Sequence, residues 1–324
     1  MNLPFKFDYY IEHGIVKKQS PNPSRAEFLI KEADKSFIGI NNRVEKLGID
    51  EFSANSLIKD IHDVIVQKIR AKMLLNGFNA SGNFAHEAEV AYMKILNFSD
   101  YEASFVNELR KARNGITYYG RMFDNSYAEE CYKFMMNIND KLMRLFLVVE
   151  LIKNKSLKNV EKEFINNSRV ADWGEENRKD FEKDFEPDTE WFFVKYNNKT
   201  LSFGCLRPIT ITYLGKKYEI MGICSILSLE KGKGYGRTLI EEMIKYLKKK
   251  GNTGLGFTVK TEFFKKAGLK AEKDFIQRFV YKNLKTGEEI IDNEGDGIYY
   301  NGKDNFIKKV LSNKSKVYID IPHW

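Results

Sequence analysis

Glu230-Lys231-Gly232-Lys233-Gly234-Tyr235-Gly236-Arg237 is the stretch whose reading decides the fold. On its N-terminal side, residues 218–229 (YEIMGICSILSL) are β-branched and apolar, broken only by Gly222, and predict a strand. On its C-terminal side Leu239, Ile240, Met243, Ile244 and Leu247 recur at the spacing of one helix face, and Gly251 follows a basic last turn of three lysines. A strand therefore runs through a glycine-rich turn into an amphipathic helix. The first amides of a helix lack internal partners and carry the positive end of its dipole. Glycines let such a backbone close on a phosphate. Lys231, Lys233 and Arg237 add charge, and residues 230–260 hold eight basic side chains against three acidic ones.

The ligand class follows from spacing. The Walker pattern GxxxxGK[ST] is absent, and Gly232, Gly234 and Gly236 alternate without the third glycine offset of a dinucleotide site. Lys231-Gly232-Lys233-Gly234-Tyr235-Gly236 resembles the central motif of GNAT N-acyltransferases, (Arg/Gln)-x-x-Gly-x-(Gly/Ala), with Lys in the usual Arg/Gln position. Further on, Thr261-Glu262-Phe263-Phe264-Lys265-Lys266-Ala267-Gly268-Leu269 resembles the second signature of that family, the FYxxxGF segment that closes the CoA site. The resemblance spans about residues 170–324.

That resemblance implies transfer of an acyl group, most simply acetyl, from acetyl-CoA to an amine by direct attack. It implies that backbone groups near Ser228 and Leu229 hold pantetheine and thioester. The amides of residues 232–237, with Lys231, Lys233, Tyr235 and Arg237 beside them, would hold the pyrophosphate, and Phe264 would close the site. Many members protonate the leaving thiolate with a Tyr where this chain has Phe264; Tyr299, Tyr300 or water are the substitutes on offer. For the base, Glu230 at the strand end stands first and the Trp324 carboxylate second. A hairpin at 213–223 (YLGKKYEIMGI), the segment DGIYY at 296–300 and a C-terminal Trp look like the aminoglycoside N-acetyltransferase branch.

The chain has 324 residues, 43% hydrophobic and 30% charged, which suits two folded domains. No apolar run reaches membrane-spanning length and the N-terminus lacks a signal pattern, so the reading is soluble and cytoplasmic. Three cysteines and four histidines show no disulfide or metal spacing, and no metal is expected. Net charge is +8: residues 1–155 hold 22 Lys and Arg against 20 Asp and Glu, and residues 156–324 hold 31 against 25. The excess sits in the half with the phosphate motif. That suits CoA, and by itself it does not establish nucleic-acid binding.

The first half is helical. Capping boxes are read at Ser24–Glu27, Ser99–Glu102 and Ser126–Glu129, with a further helix start at Asp50 and a weaker helix over residues 84–96. Apolar stripes behind them predict an antiparallel bundle of about five helices over residues 24–152, the last helix reaching Val149. Residues 109–121 (LRKARNGITYYGR) resemble the Arg-(x4–6)-His motif of HEPN helical domains, many of which cleave RNA. Arg113 and Asn114 match its start, but Tyr118 or Tyr119 stands where the histidine belongs. A phenol is a poor base at neutral pH. Arg113 is then read as a structural residue or as part of an RNA or partner surface.

Residues 151–159 (LIKNKSLKN) read as a linker, giving a boundary near 155. Beyond it, strands are expected over 190–197, 200–207, 209–213 and 217–223, then the glycine loop, helix, strand 254–260, helix 262–267 and strand 275–283, with a final helix at 304–311 and strand at 316–321. The expected fold is α+β in two domains: an all-α antiparallel bundle (1–155) and a GNAT-like mixed sheet flanked by helices (156–324). The functional reading is an N-acetyltransferase whose bundle recognises substrate or partner, RNA included. The alternative is a noncatalytic CoA- or RNA-binding regulator. The acceptor amine and the oligomeric state are not read from sequence.

Overall fold

A computed structural model describes residues 4–282, 286–291 and 295–319. The chain divides into two compact units, Met1–Phe146 and Leu147–Trp324.

The first unit is helical. α1 (Phe7–Glu12) leads through β1 (Val16–Lys18) into α2 (Pro23–Leu47), α3 (Glu51–Leu75), β2 (Phe78–Ala80), α4 (Ala85–Ile95), α5 (Asp100–Tyr119) and α6 (Asn125–Arg144). β1 and β2 pair antiparallel. The caps at Asp50 and Ser99 form as expected, each with a reciprocal bond from the third helical residue. Two starts differ. Asn22 caps α2 ahead of Pro23, and Asp124 caps α6 ahead of Ser126. Proline at the first helical position has no amide to satisfy, so it favours the earlier start. α3 is the central helix: Leu57, Ile58, Ile61, Val64, Ile65 and Ile69 are all buried.

The second unit runs β3 (Val148–Lys153), α7 (Asn159–Trp173), β4 (Glu190–Tyr196), β5 (Lys199–Tyr213), β6 (Lys216–Ser228), α8 (Tyr235–Lys250), β7 (Gly254–Thr258), α9 (Thr261–Lys266), β8 (Lys270–Glu272), β9 (Phe279–Lys282), β10 (Glu289–Ile290), β11 (Asp296–Tyr300), α10 (Phe306–Leu311) and β12 (Val317–Ile319). Among the described residues they form a ten-stranded mixed sheet. β6 lies inside it, antiparallel to β5 and parallel to β7.

Alternation along the strands splits the core in two. Phe192 and Val194 of β4 face one side, where they meet Leu239, Ile240, Met243 and Leu247 of α8. Trp191 and Phe193 face the other, where they meet Ile165 of α7 with Phe181 and Phe185. α8 thus docks by the stripe read from sequence. Gly251, at φ +79°, ends it by donating to Leu247 O and Lys248 O. Truncating a side chain such as Leu247, which is fully buried, costs about 2–5 kcal/mol.

Two expectations fail here. The segment 148–153, covered partly by the last helix and partly by the linker, is β3, paired to β4 from Val148↔Lys195 to Lys153↔Glu190. Its strand form comes from that partner, since its own faces are mostly exposed. Residues 199–213 form one strand, not two, running straight through Pro208. The reason is the ladder. Pro208 stands opposite Met221, whose amide donates to Thr253 O on the β7 side. The pair is therefore a non-hydrogen-bonded one, and the proline nitrogen faces outward. There, among the described residues, β4 pairs only as far as Leu206 and β12 only as far as Ile211, so no described neighbour needs the missing donor.

Candidate active site

β6 and β7 pair only at Met221↔Gly254 and Gly222↔Leu255. Beyond that point they separate. The neck of the separation is Gly256, where a Cβ would stand 2.7 Å from Ile223 O; only a glycine lets the two backbones pass so closely. Past the neck, residues 224–228 of β6 have no ladder partner on β7, which pairs on its other side with β11. A gap therefore opens toward the C-terminal ends of two parallel strands, directly before the glycine loop.

β6 carries a bulge in this stretch. Cys224 pairs with Cys205 and Leu227 with Phe203, so Ser225 and Ile226 stand opposite Gly204 alone. Ser225 sits at φ +54°, an uncommon conformation for a non-glycine residue. The bulge re-aims the strand at the mouth of the gap. Arg169 of α7 fixes it: Nη1 donates to Ser225 Oγ at 2.5 Å, and Nε donates to Asn177 O at 2.8 Å. Its guanidinium lies 5.0 Å from the Trp173 ring centroid. Arg169 is buried, and burial lowers its pKa from the usual value.

A cavity of about 490 Å3 occupies this place, between Arg169, Trp173 and Asn177 on one side and Ile223, Cys224, Ser225, Phe257 and Thr258 on the other. Arg207 also lines it and is held by Glu186 through two bonds of 2.6 and 3.0 Å. Cys224 and Cys205 have their Sγ atoms 3.2 Å apart. The Cys205 thiol and the nearby Arg207 and Arg169 hold Cys224 below the usual thiol value, while burial pushes Cys205 up.

The glycine loop follows. Gly232 and Gly234 both take positive φ, +82° and +83°. Gly234 is the N-cap of α8, and no side chain caps that helix start. The positive end of the α8 dipole thus faces the loop, and a Cβ at Gly232 would meet nothing within 4 Å. Around the loop, Lys231 bonds Asp172 at 2.6 Å, Arg237 bonds Glu241 at 2.8 Å, and Ser228 Oγ donates to Glu230 O at 3.1 Å. Tyr235 is buried beneath the first turn of α8. Lys233 has a partner of its own. Phe263, not Phe264, abuts the loop: a Cβ on Gly236 would stand 3.0 Å from its ring and 3.6 Å from Ser228 Cβ. Phe264 is buried in the α8 core. Ser228, Leu229 and Lys231 also line a second cavity of about 390 Å3 beside α7.

Of the proton carriers suggested by sequence, the described ones are Glu230, Tyr299 and Tyr300. Glu230 forms a surface ion pair with Lys199 at 3.0 Å and does not line the larger cavity. Tyr299 and Tyr300 pair with Leu255 and Gly254, at the closed end of the β6–β7 contact, and Tyr299 is buried in strand packing. Trp324 lies outside the described residues. Sequence reasoning missed Arg169 and Ser225. An arginine on a polar helix and a serine in an apolar strand carry no spacing signal, and only the bulge joins them.

In the helical unit, Arg113 Nε lies 4.0 Å from Asp63 Oδ1, and His62 Nδ1 lies 2.9 Å from the same oxygen. His62 is buried, and burial lowers its pKa. His86 and Arg70 bond the buried Glu89, and the two histidine rings are 6.1 Å apart. Tyr118 and Tyr119 are exposed.

Comparison with known proteins places the second unit. Residues 157–268 match the sequence model of the Acetyltransferase (GNAT) family. The match lies wholly within the second unit. No curated protein matches the chain. Among solved structures, a conserved protein of unknown function from Enterococcus faecalis V583 is 17% identical, over 39% of this chain and 33% of that one, at a TM-score of 0.33. Escherichia coli ElaA is 12% identical over 48% of this chain and 99% of its own, at 0.34. The GNAT family N-acetyltransferase YhbS of Escherichia coli, solved with CoA, is 10% identical over 54% and 90%, at 0.34. This chain thus spans a third of the first of these and nearly all of the other two. Among the described residues no helix is long and apolar enough to cross a membrane, and no group of three or more His, Cys, Asp or Glu could hold a metal ion.

Proposed function

We propose that the chain transfers an acetyl group from acetyl-CoA to an amine. The observation that carries this reading is the gap between β6 and β7 opening beneath a helix start whose N-cap is a glycine, inside a region that matches the GNAT family. The amides of residues 232–237 take the pyrophosphate, assisted by Lys231, Lys233 and Arg237. Pantetheine passes Ser228 and Leu229 into the gap, and the thioester reaches the bulge at Ser225. The amine enters through the larger cavity and attacks the thioester carbon. The tetrahedral oxyanion collapses, the CoA thiolate leaves, and the new amide carries the acetyl group. Glu230 remains the proposed base, through water, because it lies at the end of β6. With Tyr299 and Tyr300 at the closed end, solvent in the cavity protonates the thiolate.

The acceptor is an amine. An aminoglycoside, the finer reading of the hairpin and the Asp296–Tyr300 resemblance, is one acceptor class; the charge of the cavity favours another, argued below. For the helical unit we propose recognition of substrate or partner, with Arg113 facing RNA. Binding that weakens steeply with salt and in Arg113→Ala supports this, and absence of RNA binding at low salt removes it.

The test is release of free CoA thiol from acetyl-CoA, by the full chain, against a panel of amines. Amine-dependent release supports transfer. A folded protein that binds acetyl-CoA and releases none with any amine would instead be a noncatalytic CoA-binding regulator.

A further inference from the structure

The larger cavity is basic. Among the described residues its lining contains Arg169, Arg207, Lys179 and Lys183, with Asp184 as the one carboxylate. Two of the four cations are engaged: Arg207 by Glu186, and the exposed Lys183 by Asp180 at 3.1 Å. Arg169 and Lys179 have no carboxylate at ion-pair distance among the described residues. Arg169 is only 6% exposed. Its protein partners are a carbonyl and a hydroxyl, both neutral, reached through Nε and Nη1. Nη2 makes no hydrogen bond to a described residue. A buried guanidinium without a carboxylate at ion-pair distance is costly, and Asp184 acts on it only from farther away. The Arg169 guanidinium carbon lies over the Trp173 ring, 5.0 Å from the centroid.

Resting on the acyltransferase reading, we infer that the acceptor is an anionic amine whose carboxylate or phosphate is held by Arg169 and Lys179 in this cavity. The anion supplies a directly bonded counter-charge, which Asp184 provides only at longer range, through charge-assisted hydrogen bonds from Nη2 and the Lys179 ammonium. The cavity lies against the Ser225 bulge, so an anion seated on Arg169 leaves the amine of the same molecule near the thioester. A polycationic acceptor meets charge of its own sign in the same place.

The full chain is tested with acetyl-CoA against amines of both kinds: free α-amino acids and an amino-sugar phosphate, their methyl esters or unphosphorylated forms, spermidine and kanamycin. Expected are turnover with an acid or phosphate, at least a tenfold loss in kcat/KM for its ester or unphosphorylated form, a tenfold rise in acceptor KM in Arg169→Gln, and a rise in acceptor KM in Lys179→Gln with KM for acetyl-CoA unchanged. Because Arg169 also holds the bulge, Lys179→Gln is the second variant, and the acid-to-ester comparison needs no variant. Preference for spermidine or kanamycin, equal use of acid and ester, or a preference for succinyl-CoA with a neutral amine, which would move the anion to the acyl chain, each overturns the inference. Thermal shifts with the same amines, with and without CoA, separate the two readings. Stabilisation by the acid and not its ester supports the anion seat even where no acetyl transfer occurs. No stabilisation and no turnover with any anionic amine rejects it.

Discussion

Arg169 Nη1 donates to Ser225 Oγ across 2.5 Å, tying a helix to the bulged residue of the strand that borders the gap. The bond does two things. It holds Ser225 at φ +54°, and it keeps a buried guanidinium at the cavity wall.

Ser225→Val places a β-branched side chain at a positive φ and removes the hydroxyl. We expect it to cost about 1–3 kcal/mol. Ser225→Gly, free of the conformational penalty, should lose less. Urea midpoints of the two variants check this; equal midpoints would show that the bulge backbone is unstrained.

Gly256→Ala should be destabilising by about 1–3 kcal/mol, because its Cβ would press on Ile223 O at 2.7 Å and the backbones must shift. The shift falls at the neck of the gap, so acetyl-CoA affinity should fall with stability. Unchanged affinity in a destabilised variant would place the thioester elsewhere.

Among the three cysteines, Cys224 should react first with iodoacetamide at neutral pH. It lines the cavity, and Cys205 and two arginines hold its thiol below the usual value. Cys131 is buried and pushed up to about 12 chiefly by burial, and Cys205 is pushed up as well. Peptide mass spectrometry of briefly labelled protein reads the order. Early labelling of Cys131 would contradict the packing described.

The helical unit should weaken in acid in two stages. Burial sets the pKa of His62 below its usual 6.5, against the pull of Asp63 and with the help of His86 and Arg113. Its contribution is complete above 6.5 and is lost as pH falls through the depressed value. Burial of Glu89 opposes its ionisation, but His86 and Arg70 prevail and hold it below the usual 4.5. Its contribution is complete above 4.5 and is lost below. Helix melting followed by circular dichroism should decline from about pH 6.5 downward and again below about 4.5. His62→Gln should flatten the first decline, and a parent insensitive to pH above 5 would contradict the assignment.

Much of this architecture is legible in the sequence because it is written in periodicity. The stripe from Leu239 to Leu247, the caps at Asp50 and Ser99, and the turn at Gly232 and Gly234 each depend on neighbours within a few residues. What was not legible depends on partners far away in the chain. β3 is a strand because β4 pairs with it. Pro208 is tolerated because, among the described residues, neither β4 nor β12 pairs with it. The site divides the same way. The loop glycines announce themselves, but Arg169 and Ser225 are separated by 56 residues and meet only through a bulge. Tyr299 and Tyr300 look chemical in sequence and sit in strand packing at the closed end.

In the proposed complex, acetyl-CoA lies with its pyrophosphate on the loop and its thioester in the gap. Amide hydrogen exchange of the full chain is measured with and without acetyl-CoA. Slowed exchange is expected at residues 232–237 and along 225–229, with no such change in a folded Gly234→Trp variant. Saturating acetyl-CoA that leaves both segments of the parent unprotected would contradict it.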